Sequence, residues 1–363
     1  MTEELSIYLD LIRFLAAFVV FFSHICGRRF TGGLFWQVPF WAFGQPAVDV
    51  FFVLSGFVIA HATQRREGTA AEYALNRTAR MYSVVIPALV ATFLLDDIGR
   101  CVRPHFYARL GITREEPLWQ YASALLFVGR LWFAKLTPGS NVAYWSVAFE
   151  VWYYIIFGLF IFGSPKRRWA LAGLALAVAG PRIDVLFPLW LAGVASHRVC
   201  ARARLRPGPA LALAVAPVLA LACYYRLGMP LMIVDGRVTR LLARPFLVQD
   251  YLVGIAFAVH LIGVAALGAW SGPMLRRIAP RIRWLAGATF TLYLFHVPVS
   301  AFLVAIVAWP VGSWPSRAVT VLGTLAFVFA ASITERRKDL WRRWLVLLVL
   351  RTRAVVPRLG GAG

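Results

Sequence analysis

Apolar residues fall into eleven runs along the chain: 5–26, 43–62, 81–97, 118–134, 143–163, 168–181, 183–198, 209–226, 249–270, 285–309 and 317–334. Most approach the roughly 20 residues that a helix needs to cross a bilayer. No polar stretch of domain length separates them, so the pattern predicts an all-α polytopic membrane protein. One run stands apart. LWQYASALLFVGRLWFA, at 118–134, is interrupted by Gly129 and Arg130.

Basic residues in the connections decide whether that run spans, because loops facing the cytoplasm collect Lys and Arg. With 118–134 left out and the N-terminus inside, 23 basic residues fall inside and 14 outside, with Arg13 in the first helix. With 118–134 spanning, the count inverts to 12 inside and 25 outside. The first arrangement predicts about ten transmembrane helices, both termini cytoplasmic, and 118–134 as a re-entrant or interfacial segment. Non-helical backbone at membrane depth is tolerated only where protein buries it or a cavity adjoins it.

Composition sharpens this picture. Hydrophobic residues make up 60% of the 363, charged residues only 15%, and 38 Lys+Arg against 16 Asp+Glu leave a net charge of +22. A soluble enzyme, a nucleic-acid-binding module and a disordered basic protein are excluded, and nucleic acid is not an expected partner. Cys26, Cys101, Cys200 and Cys223 form no C-x-x-C pair, so neither a metal site nor a disulfide framework is expected. The N-terminus lacks the basic stretch and cleavage site of a signal peptide, which predicts a retained first helix. Residues 1–335 read as one transmembrane domain. Residues 336–363 read as a cytoplasmic tail whose apolar core, Trp344–Leu350, lies between arginines like an interfacial anchor. No internal repeat and no appended soluble domain are discerned.

Ionisable groups inside spans are costly and point to function by default. Asp10 and Arg13 are three apart and can pair on one helical face. His24 follows Arg13 by eleven residues, on that same face and about 16 Å further along the axis. A snorkelling Arg and a structural His are the ordinary alternative. Asp49, ahead of the run VFFVLSGFVIAH, would either cap its helix or orient an imidazole as in a Ser-His-Asp arrangement. Ser55-Gly56 reads as small-residue packing. Arg77 and Arg80 stand three apart at the inner membrane edge, either as a bidentate phosphate clamp or as ordinary inside charge. Glu150, in the aromatic run AYWSVAFEVWYY, needs a partner on another helix. His296, two residues before Pro298, would sit at a kink lining a cavity or make a structural hydrogen bond. His61, His105, His197 and His260 read as ordinary.

An arginine edge for phosphates, with an imidazole and carboxylates deeper in, suits general-base removal of a hydroxyl proton and acyl transfer onto it. The donor would be a phosphate-bearing carrier, for which coenzyme A is the natural candidate. LDLIRFLAAFVVFFSH resembles the Arg-x10-His signature of the acyltransferase 3 family of membrane acyltransferases. The likeness continues in order through AVDVFFVLSGFVIA, RTARMYSVVIP, AYWSVAFEVWYY and TLYLFHVPV, and so covers about residues 5–335. The resemblance implies about ten helices and acyl transfer to carbohydrate hydroxyls, most often of acetyl from acetyl-CoA. It implies His24 as general base with Glu150 and Asp49 as further catalytic groups, and Arg13, Arg77 and Arg80 at the donor. Asp10, Trp145, Ser146, Tyr153 and His296 would line the cavity. No resident cofactor is expected; acetyl-CoA or another acyl-CoA is a substrate. The expected partners are a carbohydrate or glycolipid acceptor and membrane lipid, and the expected location is the bacterial cytoplasmic membrane. The alternative is a transporter or flippase of lipid-linked saccharides, although such proteins usually show related halves.

Overall fold

Residues 1–35, 40–65, 67–112, 118–202, 204–227, 236–267, 272–307 and 309–347 are described in the computed structural model. Arg66, Arg351, Arg353 and Arg358, counted above as inside charge, lie outside them, as do residues 348–350 of the tail's apolar core. The longer helices are α1 (Glu3–Ile25), α2 (Phe40–Arg65), α3 (Ala70–Val102), α4 (Leu118–Leu125), α5 (Trp145–Phe162) and α6 (Arg168–Ala179). They continue with α7 (Phe187–Arg202), α8 (Pro207–Arg226), α9 (Leu247–Leu267), α10 (Gly272–Ala286), α11 (Thr289–Ile306) and α12 (Trp314–Ala331). No strand occurs among the described residues. The protein is an all-helical integral membrane protein.

Nine helical segments among the described residues are long and apolar enough to cross a membrane. The tenth expected crossing, 168–181, carries the chain back between α5, which ends beside the start of α3, and α7, which ends beside the end of α2, but in a helix too short to count among them. Its helix α6 has 12 residues and rises only about 18 Å, short of a bilayer core.

Ion pairs and hydrogen bonds gather several connections at one end. Glu4 pairs with Arg276 at 3.1 Å and Glu3 with Arg283 at 3.3 Å. Arg336 donates to the Trp284 carbonyl at 2.7 Å, and Arg342 to Asn76 at 2.9 Å. The start of α1, helix α10, the start of α3 and residues 336–342 therefore share what we term the proximal end. Arg103 donates to the Val304 carbonyl and Arg317 to that of Thr31, marking the opposite, distal end.

Run 118–134 forms a helix of only eight residues, followed by irregular backbone. Surrounding side chains satisfy its carbonyls, as membrane depth demands. Tyr144 donates to Ala124 O at 2.8 Å, Tyr82 to Leu125 O at 3.0 Å and Trp152 to Phe127 O at 3.0 Å. Arg182 donates to Phe133 O, to Ala134 O at 3.4 Å and to Leu241 O at 2.8 Å. Phe127 and Trp132 hold φ of +58° and +52°, a strained conformation for residues with a Cβ, costing on the order of 1–3 kcal/mol each. Replacing Arg182 with alanine strips these carbonyls of a donor, at about 1–3 kcal/mol per buried group left unpaired. A lowered unfolding temperature in detergent is the expected result.

Arg130, Arg182 and Arg244, counted above as outside charge, prove to be internal. Arg182 is 8% and Arg244 7% exposed, and Arg130 donates to Thr137 at 2.7 Å. They brace the interior instead of orienting the chain.

Helices α2 and α7 meet through glycines. A Cβ on Gly56 would lie 1.9 Å from Trp190 O, and one on Gly193 would lie 1.9 Å from Val53 O. Small residues permit this approach. It brings α2 close enough to α7 for Trp190 Nε1 to reach Ser55 Oγ at 3.1 Å.

Candidate active site

Between α1, α2, α3, α5 and α11 lies a narrow cavity of about 60 Å³, lined by Arg13, Arg80, Ser146, Glu150, Thr289 and Glu335 among others. Arg13 pairs with Asp10 at 3.5 Å, as the spacing suggested. Asp10 does not itself line the cavity and reaches it only through Arg13. Glu150 Oε1 accepts from Ser55 Oγ at 2.7 Å and from Tyr154 Oη one turn further on. Its expected partner on another helix is thus a hydroxyl. Ser55, read above as packing, serves as a donor while Gly56 does the packing. Glu335 caps α11, accepting from Phe290 N at 3.2 Å, Thr291 N at 2.8 Å and Thr291 Oγ1 at 2.8 Å. The Arg80 guanidinium has no hydrogen bond or ion pair among the described residues; Tyr154, Glu150, Glu335 and Asp10 act on it only through the field. An unpaired guanidinium in a narrow cavity is a receptor for an anion.

A second, more distal cavity of about 220 Å³ is lined by Ser23, His24, Gln45, Trp145 and Tyr293. The His24 imidazole makes no hydrogen bond among the described residues, so it is available to a bound hydroxyl. Behind it lies His296, with ring centroids 5.1 Å apart and planes at 87°. His296 Nδ1 donates to Leu292 O at 3.0 Å, which leaves Nε2 buried and without a partner. At 1% exposure, His296 lines neither cavity; it backs His24. The two cavities share Val48 and Tyr293 as their common wall. Arg13 and His24, presented by one helix, therefore open into adjoining chambers.

Besides Asp10 and His296, three further expectations need correction. Asp49 does not orient His24. It accepts from Gln45 Nε2 at 3.1 Å and faces Asp250 and Arg244, its Oδ2 lacking a hydrogen bond. Arg77 and Arg80 do not form one clamp. Arg77 pairs with Glu67 and lies 5.2 Å over the Tyr73 ring, facing an apolar groove of about 630 Å³ between α3 and α5. Tyr154 and Met81 line both that groove and the narrow cavity, and so separate the two arginines. Tyr153 lines neither cavity. One residue along a helix is a turn of about 100°, so it faces away from Tyr154 and donates to Ile183 O at 2.8 Å within the aromatic core.

Other groups went unread in the sequence. Tyr154, four residues after Glu150, and Tyr293, three before His296, follow helical spacing and were open to inference. Ser55, Thr289 and Glu335 join the site only through tertiary contacts. So does Arg244, which lies 4.2 Å over the Trp145 ring and 3.9 Å from Asp250. Trp145 itself is placed by the turn before it. Ser140 donates to Asp96 through its backbone N and its Oγ at 2.7 Å each, and Asn141 donates to Leu294 O at 2.9 Å.

The model of the acyltransferase 3 family, an acyltransferase domain, matches residues 6–336. Acyltransferase MdmB of Streptomyces mycarofaciens is 26% identical over 196 residues, covering 49% of this chain and 46% of that protein. The chain thus spans about half the length of this curated relative. No solved structure matches it.

Proposed function

Given that the chain belongs to the acyltransferase 3 family, we propose that it moves an acyl group, acetyl being expected, from cytoplasmic acyl-CoA to a hydroxyl of a carbohydrate or glycolipid. The acceptor hydroxyl loses its proton to His24, and its oxygen attacks the thioester carbonyl. The C–S bond breaks and the thiolate takes up a proton, leaving an ester and free CoA. Arg80 and Arg13 hold donor phosphate, with Glu150 positioned beside them. The positive-inside count supports a cytoplasmic proximal end, where CoA is found, and the bacterial cytoplasmic membrane is the proposed location.

One observation carries this reading. An unpaired Arg80 guanidinium opens into the proximal cavity while an unbonded His24 opens into the next. Purified protein in nanodiscs, given radiolabelled acetyl-CoA and a lipid-linked sugar, is expected to yield labelled sugar ester. Movement of the sugar across the bilayer with no dependence on acetyl-CoA would favour the transporter reading instead.

A further inference from the structure

We propose that Tyr293 is the donor that stabilises the carbonyl oxygen during transfer, a role that rests on the acyl-CoA reading above. Tyr293 belongs to the wall between the chambers, lining both the cavity of Arg13 and Arg80 and the cavity of His24. A thioester held from the proximal side and a hydroxyl activated from the distal side can meet only at that wall. The Tyr293 hydroxyl is fixed there by Ser146, with Oη and Oγ 2.7 Å apart. The ring is clamped at the edges of Phe51, 5.7 Å away, and of His296, 6.4 Å away.

Either hydroxyl of this pair can donate. When Ser146 O–H donates to Tyr293 Oη, the phenolic proton is left to point into the cavity. As the acceptor oxygen bonds to the carbonyl carbon, the electron pair of the C=O bond moves onto oxygen, and the Tyr293 O–H donates to that oxygen. When the C=O bond re-forms, the electron pair of the C–S bond leaves with sulfur as thiolate, which takes up a proton equivalent to the one His24 removed. Tyr293 keeps its own proton throughout. A donor held in place beforehand avoids reorganisation at the moment charge develops, and losing one such donor typically costs about 100- to 1000-fold in kcat.

The test reads the bond directly. In full-length protein carrying His24→Ala, bound acetyl-CoA labelled with ¹³C at its carbonyl stays unreacted, and its infrared stretch reports hydrogen bonding. A shift to lower frequency is expected with Tyr293 present and its loss with Tyr293→Phe, while acetyl-CoA binds equally well to both. With His24 intact, Tyr293→Phe is expected to lower the kcat of CoA release, read with octyl glucoside as acceptor, by about 100-fold with KM for acetyl-CoA unchanged. An unchanged stretch in Tyr293→Phe, or a loss of rate matched by a raised KM or a lowered unfolding temperature, overturns the role of Tyr293 alone. Failure of acetyl-CoA to bind His24→Ala and wild-type protein overturns the acyl-CoA reading beneath it.

Discussion

Replacing His24 with alanine is expected to reduce acyl transfer by about 10²- to 10⁴-fold, the usual contribution of a positioned general base. The protein should fold as before, because the imidazole makes no hydrogen bond among the described residues and projects into a cavity of about 220 Å³. His296 cannot substitute. Its Nδ1 is committed to Leu292 O and its Nε2 is sealed from both chambers. Replacing His296 with asparagine should therefore have the smaller effect, acting through the packing of His24. The readout is CoA release from acetyl-CoA alongside product mass. A His24→Ala protein with wild-type rate removes the imidazole from the mechanism.

Gly193→Ala should be as damaging to the fold as His24→Ala is to chemistry. Its new methyl would sit 1.9 Å from Val53 O, a backbone atom that no rotamer change can move. The helices must part, at a cost of about 1–3 kcal/mol or more for overpacking, and the contact of Trp190 with Ser55 goes with them. Ser55 is one of two hydroxyls holding Glu150, so surviving protein should also lose activity. Gly173→Ala in α6 is the control. Nothing lies within 4 Å of its new methyl, and alanine is favoured over glycine within a helix by about 1 kcal/mol. Thermal unfolding in detergent should separate the two clearly. Equal stability would mean that α2 and α7 do not meet at these glycines.

Much of the architecture was legible because a bilayer leaves few solutions. Apolar length marks helices, and the interruption at Gly129 and Arg130 marked a run that does not form a spanning helix. The 168–181 run forms a shorter helix than its apolar length suggests, because composition carries no record of where a helix stops: α6 ends at Ala179, whose carbonyl accepts from Trp132 N at 2.9 Å. The arginine count misled in a similar way, since Arg182 and Arg244 look like loop charge until the carbonyls and rings around them are seen. Within the site, spacing along a single helix was readable. Arg13 does pair with Asp10, and Arg13 and His24 do open into adjoining chambers. Pairings across helices were not readable. Asp49 faces Asp250 of α9, Arg77 reaches back to Glu67 in the connection before α3, and Glu335 arrives from the far end of the chain to cap α11.

The central claim is a division of labour, with donor phosphate in the proximal chamber and acceptor activation in the distal one. Equilibrium binding of acetyl-CoA to purified wild-type, Arg80→Ala and His24→Ala proteins tests it most directly. The account predicts that His24→Ala binds as wild type does, while Arg80→Ala binds at least about tenfold more weakly, as expected for losing a charge-assisted hydrogen bond of about 1.5–3 kcal/mol. Undiminished binding by Arg80→Ala, or lost binding by a folded His24→Ala, would contradict it.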